Sequence, residues 1–311
     1  PTERDPDLYD HKYYHCDVLI VGTGPAGLTA ATIAANSGKK VLLVDEKPEH
    51  GGSLVGSNNE ITSIDNEHPR EWVEKIYSEL INNKSIKILN RTSVAAYHNY
   101  NYLIMMENLT DHLNENDKKN KIRQRLWKVR AKKVILATGS IERPMIFDGN
   151  DKPGIMLSSA VRKYLNYYAV KCGNSVAIFT NNDDAYETAL SLHAKGVKIS
   201  AIIDIRDKSS GDLVKKCVDQ GLKIMWNHTV VYAAGHKRIN RIFVMKLSKN
   251  NNSVVGNKIK IDCDLMCISG GYTPAVHLFT QSGGKLSFDE KKFYFYPNKT
   301  NLDQISVGAC A

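Results

Sequence analysis

The segment that most constrains the fold is the glycine-rich turn at residues 22–27 (GTGPAG). The apolar run 18–21 precedes it and predicts a buried strand, and the small residues that follow it predict a helix. Gly22 permits the tight turn, Gly24 lets the backbone approach a pyrophosphate, and Gly27 allows the helix to pack closely on the strand. The first N–H groups of the helix then face the phosphates. The segment therefore predicts a βαβ unit that binds a dinucleotide and opens a parallel sheet.

A carboxylate follows the second strand of this unit. Asp45 comes directly after the apolar run 41–44, and Glu46 follows it. A carboxylate at this position can accept hydrogen bonds from both hydroxyls of a ribose, and it repels a 2′-phosphate. The sequence therefore favours NAD, or the ADP half of FAD, over NADP.

Two further glycine segments indicate one class of dinucleotide fold. They are Gly-Gly-Ser at 51–53 and Ala-Thr-Gly at 137–139. In two-domain flavin and nicotinamide enzymes, a Gly-Gly after the second strand lets the chain pass beside the pyrophosphate. The predicted fold class is α/β, a two-domain FAD/NAD(P)-binding Rossmann-like fold of the pyridine nucleotide-disulfide oxidoreductase type. Residues 53–60 contain no cysteine and Cys172 stands alone, so we expect no dithiol relay.

Hydrophobic periodicity predicts the remaining elements. An amphipathic helix is predicted over 69–83, a polar loop over 107–125, and a second strand–helix–strand unit from Ser175. The other predicted strands are 86–89, 94–97, 102–106, 132–137, 198–204, 242–247 and 258–268, with a helix over 184–194. The predicted domains are a first part at 1–148, a second Rossmann-like domain at 149–268, and a return to the first domain at 269–311.

The second unit lacks a glycine turn. After its first strand, residues 180–186 read TNNDDAY, with two carboxylates and no glycine. Such a turn is a poor phosphate cradle, so we predict that this domain keeps the fold without binding a dinucleotide. Cys263 and Cys267 lie at even spacing in the predicted strand 258–268, which predicts that they pack into the core on one shared face.

Composition and charge exclude several functional classes. The chain has 311 residues, with 42 basic and 33 acidic side chains and a net charge of +9. The densest basic stretch, 118–125, has no interleaved aromatic residues, so we expect a solvated surface and no nucleic-acid partner. No apolar run approaches the roughly 20 residues of a membrane helix. The polar, acidic start of the sequence does not resemble a secretory signal, and we expect a cytoplasmic location.

The cysteine and histidine content predicts no metal site. Six cysteines are scattered along the chain without a CxxC pair, and such cysteines are usually small buried hydrophobic residues. His11, His15 and Cys16 have a spacing that resembles a ligand set, but Cys16 starts a buried strand. We therefore expect an ordered segment leading into the strand.

Six longer blocks are more specific than the glycine turn. They are 15–22 (HCDVLIVG), 44–54 (VDEKPEHGGSL), 125–144 (RLWKVRAKKVILATGSIERP), 149–162 (GNDKPGIMLSSAVR), 179–186 (FTNNDDAY) and 269–274 (SGGYTP). Together they resemble the α subunit of heterotetrameric sarcosine oxidase. The resemblance implies NAD in this chain, FAD in a β subunit that oxidises the N-methyl amine, and a covalent FMN near the α/β interface. It also implies demethylation of sarcosine to glycine, formation of hydrogen peroxide, and transfer of the one-carbon unit to tetrahydrofolate.

The resemblance also places family NAD contacts on this sequence. The matching positions are Ala26, Asp45, Glu46, Lys47, Ser53, Val94, Gly308 and Ala309. Many flavoproteins of the superfamily have Gly-Asp where this chain has Gly-Ala, so Ala309 favours NAD over FAD. With the motifs, the predicted cofactor-binding residues are Gly22, Gly24, Pro25, Ala26, Gly27, Asp45, Glu46, Lys47, Gly52, Ser53, Val94, Ala137, Thr138, Gly139, Gly308 and Ala309. No catalytic residue is predicted.

Three functions stay open on the sequence. The first is a fragment of an NAD-binding α subunit, inactive alone, whose partners are the flavin-bearing β subunit and the small subunits of a heterotetramer. The family α subunit is much longer, and the helix after the last strand is expected to be missing here. The second is an FAD-dependent oxidoreductase subunit of an opine or proline dehydrogenase type. The third is a non-catalytic assembly module that binds a partner through the basic loop at 107–133.

Overall fold

Residue contacts divide the chain into two units. A computed structural model describes residues 5–58, 60–300 and 302–311. The first unit contains the chain up to Leu54, Glu67–Ile141 and Thr273–Ala311, and the second contains Val55–Asn66 and Glu142–Tyr272. The domain boundaries predicted at 148 and 268 remain a proposal.

Strands and short helices alternate along most of the chain. The strands are β1 (Leu8–Val21), β2 (Val41–Val44), β3 (Ile86–Leu89), β4 (Thr92–His98), β5 (Tyr102–Asn108), β6 (Ile122–Leu136), β7 (Ser140–Glu142), β8 (Ile155–Leu157), β9 (Ser175–Thr180), β10 (Lys198–Asp204), β11 (Ile224–Trp226), β12 (His228–Ala234), β13 (Arg241–Leu247), β14 (Val254–Asp262), β15 (Leu265–Ser269), β16 (Tyr272–Pro274), β17 (Lys285–Asp289), β18 (Tyr294–Lys299) and β19 (Gln304–Ser306). The helices are α1 (Pro25–Asn36), α2 (Pro69–Ile81), α3 (Glu115–Lys118), α4 (Ser158–Asn166), α5 (Asp184–Ala194), α6 (Asp212–Asp219) and α7 (His277–Gln281), with 3₁₀ turns at Gly52–Gly56 and Gly308–Cys310. Among the described helices, none combines the length and apolar character needed to cross a membrane.

A seven-stranded sheet forms the centre of the first unit. Its order is β3-β2-β1-β6-β5-β4, and β19 also pairs with β6. The strands β1, β2, β3, β6 and β19 are parallel, whereas β5 is antiparallel to β4 and β6. The predicted βαβ unit is present as β1, α1 and β2, so the carboxyl ends of β1 and β2 lie at the same edge of the sheet.

The strand β6 corrects two sequence predictions. The loop predicted over 107–125 is shorter, because β5 runs to Asn108 and β6 starts at Ile122. The strand predicted over 132–137 is the end of this 15-residue strand. Its first half pairs with an equally unexpected extension of β1, which begins at Leu8. Apolar residues are buried at alternate positions between the charged ones, and that alternation is the pattern of a strand with one solvated face.

The second unit contains two sheets. Its parallel sheet has the order β11-β10-β9-β15-β8, and its antiparallel sheet has the order β12-β13-β14. The predicted helix 184–194 coincides with α5, and the predicted strand 198–204 coincides with β10. This half is therefore a second strand–helix–strand unit, as the sequence predicts.

The single strand predicted over 258–268 is wrong. The chain leaves the antiparallel sheet at Asp262 and enters the parallel sheet at Leu265. Asp264 lies at the break, where its carboxylate accepts the backbone N–H groups of Asn174 and Ser175 at 2.9 Å. The expected shared face of the two cysteines is wrong for the same reason, since Cys263 and Cys267 pack in different apolar clusters.

The cysteines are nevertheless mostly core residues. Five are buried, and Cys172 is partly buried. Burial raises the pKa of the thiols of Cys16, Cys217 and Cys263 to about 12. These thiols stay protonated near neutral pH and act as small hydrophobic side chains.

Candidate nucleotide-binding site

The glycine turn joins β1 to α1 at the carboxyl edge of the parallel strands. Gly22 has a φ of +108°, and a Cβ there would lie 2.3 Å from the carbonyl oxygen of Ala137. A Cβ on Gly27 would lie 1.9 Å from the carbonyl oxygen of Gly22. Pro25 opens α1, and the helix N-cap, Gly24, has no side chain that could cap it. The first N–H groups of α1 can therefore bind an anion.

Two distant glycines close onto the same helix end. Gly52 has a φ of +56°, and a Cβ there would lie 2.9 Å from the Cα of Gly24. Gly308 has a φ of +73°, and its Cβ would lie 2.8 Å from the Cβ of Ala26. Ala309 follows in the 3₁₀ turn and is exposed. Segments from three parts of the first unit thus meet at a place where only glycine fits.

Asp45 is fixed at the carboxyl end of β2. Its Oδ2 accepts the backbone N–H and the hydroxyl of Thr23, at 2.6 and 2.7 Å, and its Oδ1 accepts the N–H of Lys47 at 2.9 Å. A carboxylate offers about four acceptor positions, so room for one ribose hydroxyl remains rather than for the two that the sequence suggested. Glu46 is exposed beside it and can accept a second.

The segment after β6, residues 137–139, packs against the glycine turn. Ala137 donates its N–H to the carbonyl of Val21 at 2.8 Å. The hydroxyl of Thr138 donates to the carbonyl of Ala275 at 2.8 Å, and the N–H of Ala275 donates to the carbonyl of Gly139 at 2.9 Å. These bonds hold the Ala137 carbonyl against Gly22.

Two predicted residues lie apart from these contacts. Ser53 is exposed in the 3₁₀ turn Gly52–Gly56. Val94 pairs with Met105 between β4 and β5 and packs, half-buried, against the main apolar cluster of the first unit. Their cofactor contacts remain predictions. The residues that the structure brings together are Gly22, Gly24, Ala26, Gly27, Gly52, Ala137 and Gly308, with Asp45 held through Thr23.

His50, Tyr77 and Asn90 form a support that the sequence did not reveal. The rings of His50 and Tyr77 stack with centroids 3.5 Å apart and an angle of 17°. Asn90 Nδ2 lies 3.4 Å from His50 Nε2, while His50 Nδ1 and Asn90 Oδ1 are buried without a hydrogen-bond partner among the described residues. The stack anchors the chain directly before the Gly-Gly turn to α2.

We expect His50 to make stability depend on pH. Burial lowers its pKa below the usual 6.5, and the carboxylates of Asp45 and Glu49 oppose this only in part. The unfolded chain therefore binds more protons than the folded chain below about pH 6.5, so stability falls as the pH drops through that value. A His50→Phe variant keeps the stack and loses the titration. Urea unfolding at pH 7 and pH 5 should show a smaller loss for this variant than for wild type.

The control is His236→Phe, at an exposed position of the second unit. This variant should lose as much stability between pH 7 and pH 5 as the wild-type chain does. An equal pH dependence in wild type and His50→Phe would contradict the role of His50.

The corresponding turn of the second unit is occupied by its own side chains. Asp183 pairs with Arg206 at 2.7 Å, and Asp184 pairs with Arg162 at 3.1 Å. Arg162 also binds Glu187 at 3.1 Å. Burial alone would lower the pKa of Arg162, but the two carboxylates outweigh it and raise that pKa. Carboxylates at the start of α5 repel phosphate. That this turn binds no dinucleotide stays a prediction.

Sequence comparison identifies relatives that match nearly the whole of this chain. The chain is 37% identical over 307 residues to "Sarcosine oxidase subunit alpha" of Corynebacterium sp. (strain P-1), a match that covers 98% of this chain and 31% of the relative. It is 34% identical over 310 residues to the protein of the same name from Rhizobium meliloti (strain 1021), covering 99% of this chain and 30% of the relative. The chain thus spans about a third of the length of these relatives, which are named as subunits of an oxidoreductase.

Structural comparison and a family match agree on the fold. The crystal structure of L-proline dehydrogenase from P. horikoshii superimposes with a TM-score of 0.70 at 23% identity, covering 96% of this chain and 51% of that one. Residues 16–306 match the pyridine nucleotide-disulphide oxidoreductase family. The predicted two-domain FAD/NAD(P)-binding fold is therefore confirmed, and the chain belongs to the pyridine nucleotide-disulphide oxidoreductase family.

Proposed function

We propose that this chain is the NAD-binding part of a sarcosine oxidase-like complex. In this proposal a partner subunit carries the flavin chemistry, which demethylates sarcosine oxidatively to glycine with formation of hydrogen peroxide. The observation that carries the proposal is the meeting of Gly22, Gly52 and Gly308 around the start of α1. A side chain at any of the three would collide with backbone or with α1, and such closeness lets a backbone approach a pyrophosphate.

The identity of the nucleotide rests on two side chains. Asp45 is a fixed carboxylate at the end of β2, and it disfavours a 2′-phosphate. Ala309 stands where many flavoproteins of the superfamily have an acid toward the ribityl chain. Both support NAD, with FAD as the alternative.

The residues of this chain bind and orient and do not exchange protons with a substrate. The N–H groups at the start of α1 would bind the pyrophosphate, and Asp45 with Glu46 would accept the ribose hydroxyls. Lys47, Ser53 and Val94 are proposed to complete the adenosine end. NAD, when bound, supplies a redox-active nicotinamide. We propose that the chain alone is inactive.

The first experiment identifies the bound nucleotide. Purified chain is denatured, and the released nucleotide is identified by mass spectrometry beside a visible spectrum of the native protein. Released NAD in a colourless sample is the expected result. FAD in a yellow sample would move the function to an FAD-dependent subunit of an opine or proline dehydrogenase type, and an empty site would favour the assembly module.

Replacing Asp45 tests the ribose contact. An Asp45→Ala variant is expected to bind NAD about tenfold more weakly or worse, because hydrogen bonds to a charged group contribute about 1.5–3 kcal/mol. The measurement is calorimetric titration of nucleotide-free protein with NAD. Asp17→Ala is the matched control, since Asp17 accepts the N–H of Lys40 at 2.9 Å before β2 begins, away from the turn. Equal affinities for NAD in both variants would contradict the contact.

A further inference from the structure

Two aromatic rings lie side by side on neighbouring strands of the first unit, in the amino-terminal halves of β1 and β6. Tyr14 of β1 and Trp127 of β6 meet edge to face with centroids 6.1 Å apart. Trp127 is buried and donates its indole N–H to Glu107 at 2.7 Å, and Tyr14 is half-buried. The pair extends the main apolar cluster toward the surface.

Three lysines surround this ring pair. Lys40 Nζ lies 4.5 Å from the centre of the Tyr14 ring. Lys87 Nζ lies 5.5 Å from the same ring and 4.7 Å from Trp127, and Lys12 Nζ lies 5.9 Å from Trp127. We call Lys12, Lys40 and Lys87 the lysine cluster. Rings attract cations through their faces, but they do not neutralise three positive charges.

The acidic residues near the lysine cluster form their ion pairs with other cations. Asp10 binds Arg125 at 2.8 Å, and Glu107 holds Trp127 and faces Arg125 at 3.8 Å. Asp17 pairs with Lys132 at 2.8 Å. Among the described residues, no carboxylate forms an ion pair with a lysine of the cluster. Asp10 also attracts Lys12 electrostatically, and Asp17 accepts the backbone N–H of Lys40. The cluster is thus a concentration of positive charge without an ion-pair partner, beside two aromatic rings.

The lysine cluster lies at the opposite edge of the sheet from the glycine turn. Lys40 directly precedes β2, and Lys87 is the second residue of β3. Lys12 is ten residues before Gly22 along β1, which is roughly 30 Å in an extended strand. An occupant of the cluster would leave the start of α1 open to a nucleotide.

We propose that the lysine cluster binds an extended acidic segment of a partner subunit. Lys40 lies over Tyr14, Lys12 lies over Trp127, and Lys87 is near both rings, so the positive charge is distributed over two rings whose centroids are 6.1 Å apart. Alternate side chains on one side of an extended strand are about 6.6 Å apart, so carboxylates at every second residue of an acidic segment can face both rings and the lysines that lie over them. The inference rests on the proposed function in one respect, that the chain has a protein partner.

The test uses an acidic peptide as the probe. A fluorescein-labelled octapeptide of alternating Ser and Glu is titrated with the chain at about 0.03 M ionic strength, where surface charges are weakly screened. Saturable binding by anisotropy is expected. The triple variant Lys12→Gln, Lys40→Gln, Lys87→Gln should bind about tenfold more weakly, because each exposed ion pair contributes modestly. If it does not fold, the double variant at the exposed Lys12 and Lys40 should show about a threefold loss.

A second triple variant is the matched control. Lys118, Lys215 and Lys260 each pair with an acid already, so their replacement by Gln changes the net charge equally and should weaken peptide binding less than about twofold. The proposal is overturned by absent binding, by equal weakening in both triple variants, or by inorganic triphosphate that binds more tightly than the peptide. Nucleotide content, measured on the same samples, should stay at the wild-type value. Its loss would concern the proposed function and not the lysine cluster.

Discussion

Replacing Gly27 with alanine is expected to lower the melting temperature by roughly 10 °C and to abolish nucleotide binding. The new Cβ would lie 1.9 Å from the carbonyl oxygen of Gly22 and 3.3 Å from the Cβ of Ala137, so α1 has to move away from β1. Overpacking of a core costs about 1–3 kcal/mol and occasionally more. In a displaced helix the first N–H groups also no longer point at the pyrophosphate. Thermal unfolding by circular dichroism and the mass of released nucleotide measure the two effects.

Gly38→Ala is the matched control, a glycine-to-alanine change in the loop between α1 and β2. Gly38 follows α1 with a φ of +69°, and no atom lies within 4 Å of a Cβ there. The substitution strains the backbone by about 1 kcal/mol and leaves the turn at 22–27 unchanged, so nucleotide content should equal that of wild type. A Gly27→Ala protein that melts within about 2 °C of wild type and keeps its nucleotide would contradict the close packing.

Elements with a strong local pattern could be predicted from the sequence. The helix α5 and the strands β3 and β10 coincide with their predictions, because each has a clear hydrophobic period and a glycine or asparagine close to one of its ends. The glycine turn was predicted for the same reason, since strand, turn and helix are contiguous.

Elements fixed by distant partners could not be predicted. The first half of β6 is a strand because it pairs with residues of β1 that lie far earlier in the chain, and its charged residues hide the alternation. The break between β14 and β15 follows from the bonds of Asp264 to Asn174 and Ser175. The break has no local signal. In β6 the alternation of buried and solvated residues begins only at Trp127, after five residues of which none is buried.

The candidate site also contains some features that the local sequence predicts and others that depend on distant residues. Asp45 could be predicted from its place after a strand, but its bonds to Thr23 could not, because that pairing depends on the conformation of the turn. The stack of His50 on Tyr77 joins a loop to α2 with no shared period. The lysine cluster could not be predicted either, because its members come from β1, the residue before β2, and β3. In the sequence each lysine has the pattern of an ordinary surface residue.

Replacing Arg162 with methionine is expected to destabilise the second unit by about 3–5 kcal/mol, the usual cost of leaving a buried charge without its partner. The Arg162 side chain is 7% exposed and that of Glu187 is 8% exposed. Arg162 also donates to the carboxylate of Asp184 at 3.1 Å. Urea unfolding measures the loss. Lys215→Met, which breaks an exposed pair with Asp212, should change stability by less than about 0.5 kcal/mol.

A second substitution separates lost charge pairing from lost packing. In a double variant that combines Arg162→Met with Glu187→Gln, the buried carboxylate is gone. The amide oxygen of the new glutamine can still accept the N–H of Asn58, which Glu187 accepts at 2.9 Å in wild type. The double variant should therefore be more stable than Arg162→Met alone by about 1 kcal/mol or more. If both variants unfold at the same urea concentration, the arginine acts through the packing of α4 on α5 and the ion pair contributes little. If the double variant recovers stability, the unpaired Glu187 carboxylate accounts for part of the loss in Arg162→Met, and the ion pairs at the start of α5 hold α4 and α5 together.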